Sequence, residues 1–105
     1  MFDIESIRAM VEGGALKYTE HFKARAKERE VPFKDAKCAV LNGEIIEENP
    51  YDEPLPSVLI FGRTRDGAPL HVAVSIDDAV IFFVTTYYPS TDKWEADSKT
   101  RKVVN

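Results

Sequence analysis

The chain has 105 residues, 44% hydrophobic and 30% charged, with a net charge of −4. That size and mixture fit one soluble globular domain and exclude a disordered polar chain, and no stretch approaches the ~20 apolar residues that span a bilayer. The acidic balance argues against a large electrostatic footprint on nucleic acid, and a single cysteine, Cys38, excludes an internal disulfide.

The opening MFDIESIRAM carries acids early and lacks the apolar run of a secretory signal, so a cytoplasmic location is expected. The charge is polarised. Residues 17–37 are net positive, with seven Lys or Arg against four Asp or Glu, whereas 44–53 (EIIEENPYDE) are strongly acidic.

Residues 3–12 (DIESIRAMVE) predict a helix. Ile4, Ile7, Met10 and Val11 share a stripe, and Asp3 can serve as N-cap. Gly13-Gly14 ends it. A second helix is expected from residue 15 or 19 to residue 30, with Thr19 as a candidate N-cap and Ala15, Tyr18, Phe22 and Ala26 as its apolar side. Pro32 stops it. A third helix over 33–41 (FKDAKCAVL) places Phe33, Ala36, Val40 and Leu41 on one stripe, with Cys38 as a packing residue beside them. Asn42-Gly43 closes it.

The apolar period then changes. Strands are predicted at 44–48 (EIIEE), 57–63 (SVLIFGR), 69–76 (PLHVAVSI) and 79–88 (AVIFFVTTYY), with turns at Asp66-Gly67 and Asp77-Asp78. NPYDEPLP is an acidic, proline-bearing loop whose acids match no calcium-loop spacing. The tail from Ser90 to Asn105 is polar, with Trp94 as an anchor, and reads as a short helix or a loose strand. This order predicts one α+β domain over residues 1–105. An added N-terminal helix within 1–14 and a helical part over 15–42 precede a twisted antiparallel sheet of three to four strands from 43 onward. Two or three N-terminal helices would thus pack on one sheet face.

Two places could carry chemistry. On the second helix His21, Arg25 and Arg29 follow i, i+4, i+8 spacing and stack on one face. An imidazole beside guanidinium donors can hold a phosphate or carboxylate, move a proton and stabilise developing charge. The same face also reads as a solvated surface paired with Glu28 or Glu30 or with the acidic loop. On the sheet, alternation turns Leu70, Val72, Val74 and Ile76 toward the helices and His71 to the opposite side. In the last strand Ile81, Phe83, Thr85 and Tyr87 would share a face, so Thr85 and Tyr87 are candidates to meet His71 across the hairpin. No zinc, phosphate-loop or nucleophile-elbow pattern occurs, so neither a metal nor a cofactor is expected.

The runs YTEHFKARAKEREV, AVLNGEIIE, LIFGR, DGAPLHV and VTTYYP, with a downstream Trp94 and Arg101, resemble the bacterial family named domain of unknown function 4258. The resemblance covers roughly residues 18–102. It implies a layout similar to RelE-like ribonuclease toxins, and it implies recurring polar positions at His21, Arg25, Arg29, His71, Tyr87 and Arg101.

Two functions remain open. One is a metal-independent ribonuclease in which His21, Arg25, His71 and Tyr87 are catalytic and Arg29, Thr85 and Arg101 bind substrate. Its partners would be RNA and a cognate antitoxin-like protein. The other is a non-catalytic protein-binding or accessory module, with a homodimer among its expected forms. Neither involves a membrane.

Overall fold

A computed structural model describes residues 3–103. The last two residues of the tail lie outside that range. Helix α1 (Ile4–Glu12) begins where the Asp3 carboxylate accepts the Glu5 amide, as its N-cap position requires. Ile7 and Val11 are fully buried.

The next segment departs from expectation. Residues 15–18 do not extend the second helix. Leu16–Tyr18 form a short strand, β1, parallel to the last strand of the sheet, with Leu16 opposite Ile81. Three residues are too few for a period to register in the sequence, and their half-buried side chains fit either geometry. Helix α2 (Glu20–Glu28) starts after Thr19, whose hydroxyl accepts the Phe22 amide at 3.0 Å. Helix α3 (Phe33–Asn42) follows Pro32.

Strands β2 (Glu44–Asn49), β3 (Ser57–Arg63), β4 (Pro69–Asp77) and β5 (Val80–Tyr87) form an antiparallel meander. The sheet order is β1-β5-β4-β3-β2. The domain is therefore α+β with three helices and a five-stranded mixed sheet, rather than a purely antiparallel sheet of three to four strands. The helices are also not gathered ahead of the sheet, because β1 lies between α1 and α2.

The helices cover one sheet face. Ile7, Val11, Phe22, Ala26 and Val40 pack there on Val58, Ile60, Leu70, Val72, Val74, Ile81 and Phe83. Gly62 lets α3 approach β3: a Cβ built on it would lie 1.9 Å from the Ala39 carbonyl oxygen. Asp35, 8% exposed on α3, accepts the Arg65 backbone amide and Nε at 3.0 and 2.7 Å, which fixes the β3–β4 turn.

The register of β4 and β5 shifts between Ala73 and Val74. Val74 faces Phe83 and Ala73 faces Thr85, so Val84 is an extra residue on β5. Simple alternation along β5 therefore fails. Ile81 and Phe83 lie in the core beneath the helices, while Tyr87 joins His71 on the other side. Thr85 pairs with Ala73 and not with His71. No helix is long and apolar enough to cross a membrane among the described residues.

Candidate functional site

Phe61, His71 and Tyr87 stand in one row across β3, β4 and β5, on the face away from the helices. Residues 90–101 cover this row. They make neither a helix nor a continuous strand. Trp94 bridges to Arg101, and the Asp97 carboxylate caps the turn between them by accepting the Lys99 and Thr100 amides. Those amides hold Asp97 below the ordinary carboxylate value. Trp94 is 3% exposed and meets the His71 ring edge-on at 4.4 Å.

His71 is fully buried, and both ring nitrogens are engaged. Nε2 lies 2.6 Å from the Ser98 carbonyl, which can only accept, so Nε2 carries hydrogen. Burial disfavours the charged ring and lowers its pKa, a shift that the Ser98 carbonyl and Glu47 oppose. The ring is thus neutral, and Nδ1 is left as an acceptor for the Tyr87 hydroxyl at 3.2 Å. Burial raises the Tyr87 pKa, with Arg101 and Arg29 pulling against it, so the phenol keeps its proton.

Tyr87 opens on its other side to a cleft of about 350 Å³. Arg29, Lys93 and Arg101 line it, together with Tyr88, Ser90 and Trp94. Arg29 donates to the Thr86 carbonyl at 3.0 Å, and its guanidinium stands 5.9 Å from the Tyr87 ring centre. Arg101 lies over Trp94 at 4.6 Å and makes two bonds to the Glu47 carboxylate, at 2.5 and 3.0 Å. That pairing raises the Arg101 pKa further. Arg29 and Lys93 have no carboxylate partner among the described residues. Two cations without a carboxylate partner, beside aromatic faces and a phenol, can bind an anion that carries a flat group.

The predicted residues separate. Arg29, Tyr87 and Arg101 share the cleft, with His71 directly behind Tyr87. His21 lies at the rim of a different cavity, beside Asp52 and Phe82, so the two histidines do not share a cleft. Arg25 pairs with Glu28 along α2, as the solvated reading of that face anticipates. Lys93, Glu47 and Ser98 were not singled out by sequence. Lys93 sits in an unpatterned tail, Glu47 reads as one acid among many, and Ser98 acts through its backbone, which no side-chain motif reveals.

A sequence model of the family described as a domain of unknown function (DUF4258) matches residues 18–88. The chain belongs to this family. The DUF4258 match takes in His21, Arg29, His71 and Tyr87, and it ends before Trp94 and Arg101. Helix α1 lies outside it. Comparison with curated proteins and with solved structures gives no match. Among the described residues of this DUF4258 chain, no group of three or more His, Cys, Asp or Glu is placed to hold a metal ion.

Proposed function

We propose that the chain binds single-stranded RNA at the Tyr87 cleft and cleaves it without a metal, as a ribonuclease of RelE-like kind. The observation that carries this reading is the Tyr87 hydroxyl, backed by a neutral His71 and facing Arg29, Lys93 and Arg101. Arg29 and Lys93 take phosphate oxygens, and the exposed Tyr88 offers a stacking face to a base.

In the cleavage step the 2′ oxygen bonds to phosphorus and the bond from phosphorus to the 5′ oxygen breaks. The 2′ proton passes to the Tyr87 oxygen as the Tyr87 proton passes to Nδ1 of His71. The Ser98 carbonyl steadies the resulting imidazolium through Nε2–H. Lys93 protonates the departing 5′ oxygen. The proton held on His71 then returns through Tyr87 and water to Lys93. The products are a 2′,3′-cyclic phosphate and a 5′-hydroxyl. Neither histidine touches the substrate.

A second reading is a binding module in which the cleft holds an acidic segment of an antitoxin-like partner or of a second copy. Its support is the engagement of both His71 nitrogens, which also pins the 90–101 segment.

An end-labelled RNA oligonucleotide separates the two. Cleavage that leaves a cyclic phosphate, vanishes with a 2′-deoxy linkage and falls about a hundredfold or more in Tyr87→Phe supports the ribonuclease. RNA that stays intact while an acidic peptide binds supports the module.

A further inference from the structure

The face opposite the helices carries a second cavity, about 410 Å³, at the other end of β4 from His71. Its floor is Ser75, four residues from His71 and so roughly 13 Å along the strand. Phe82 and Val84 of β5 and Leu55 of the loop before β3 form apolar walls. Alternation from Phe82 places Val84 on this face, ahead of the register shift. Asp52 and Asp77 stand at the rim, from the acidic loop and the end of β4.

Two features point to a ligand. Ser75 is 5% exposed and lines the cavity, yet its hydroxyl has no hydrogen-bond partner among the described residues. The hydroxyl opens into the cavity rather than being sealed in the core, so it is free to hydrogen-bond an occupant. Asp52 is held in place by the Ser57 hydroxyl, which donates to one carboxylate oxygen at 2.5 Å and leaves the other free. Glu53 adds a third carboxylate to the lining, and His21 is the only Lys, Arg or His that lines it. Apolar walls under an anionic rim match a cation on an apolar stem.

We propose that this cavity is a binding site for an amphipathic primary amine. The alkyl stem lies between Phe82, Val84 and Leu55. The ammonium pairs with Asp52 and Asp77, and a polar atom on the stem can take the Ser75 hydroxyl. The site is independent of the Tyr87 cleft and of any cleavage there.

Titration of the full ¹⁵N-labelled chain with hexylammonium tests this. Saturable shifts confined to residues 52–57, 75–77 and 82–84 are expected, with Tyr87 and Trp94 unmoved. Hexanol should bind at least about tenfold more weakly, because it lacks the charge, and hexanoate should not bind. The Asp52→Asn, Asp77→Asn double variant changes only surface groups and should weaken hexylammonium about tenfold. Ser75→Leu, which fills the floor, should abolish binding. Nα-acetyl-lysine methylamide distinguishes the source. Tighter binding than hexylammonium marks a peptide side chain, and weaker binding marks a free amine. Hexanoate or hexanol binding as tightly as hexylammonium overturns the proposal. So does the absence of saturable shifts in this region.

Discussion

The Nδ1 of His71 and the hydroxyl of Tyr87 lie 3.2 Å apart, on residues paired directly across β4 and β5. The contact is both structural and functional in our account, and the two roles separate experimentally. Tyr87→Phe keeps the ring and removes the donor. It leaves a buried acceptor on His71 unpaired, which costs about 1–3 kcal/mol in equilibrium denaturation. RNA affinity should change little, because Arg29 and Lys93 remain.

Burial holds the His71 imidazole below its ordinary value of 6.5. The unfolded chain therefore takes up a proton at a pH where the folded chain does not. The stability linked to His71 is whole above its unfolded value. It falls as pH drops from there through the folded value, and then levels off. NMR of the ring should place its titration below that of a free imidazole. The thermal midpoint should be lower at about pH 5.5 than at about pH 7.5. A His71 ring that titrates above the ordinary value contradicts this.

Trp94 joins the 90–101 segment to the sheet through its contacts with His71 and Arg101. Trp94→Ala should cost about 3–5 kcal/mol if the core stays cooperative with the segment. Amides of residues 94–101 should lose hydrogen-exchange protection first, while β3 and β4 keep theirs.

Gly62 is required by packing rather than by backbone angle. Gly62→Ala drives a methyl against the Ala39 carbonyl, and backbone on both sides leaves little room to yield. A loss of about 1–3 kcal/mol is expected. Thermal denaturation should show the midpoint falling by several degrees, whereas a replacement at exposed Gly13 should not do so to the same extent.

Local chemistry made much of the fold legible. Asp3 and Thr19 cap the helices that their positions imply, and the meander follows its turn residues and its apolar alternation. What was not legible depended on partners distant in sequence. Strand β1 exists because Leu16–Tyr18 find β5, and the extra residue at Val84 reverses which side Tyr87 takes. The candidate site shows the same division. Arg29, Tyr87 and Arg101 could be named from spacing and resemblance. Their distance from His21 could not, because His21 in the first turn of α2 and Arg29 at its C-cap lie eight residues apart and serve different cavities. Lys93 became visible only once Trp94 folded the tail across His71.

Fluorescence polarisation of a short, labelled single-stranded RNA with the wild type and the Arg29→Ala, Lys93→Ala double variant tests the central claim most directly. Both side chains are exposed, so the variant should fold. The account predicts saturable binding by the wild type that weakens with salt, and a loss of about tenfold or more in the variant. Absence of saturable binding by the wild type, or equal affinity in the two proteins, would contradict it.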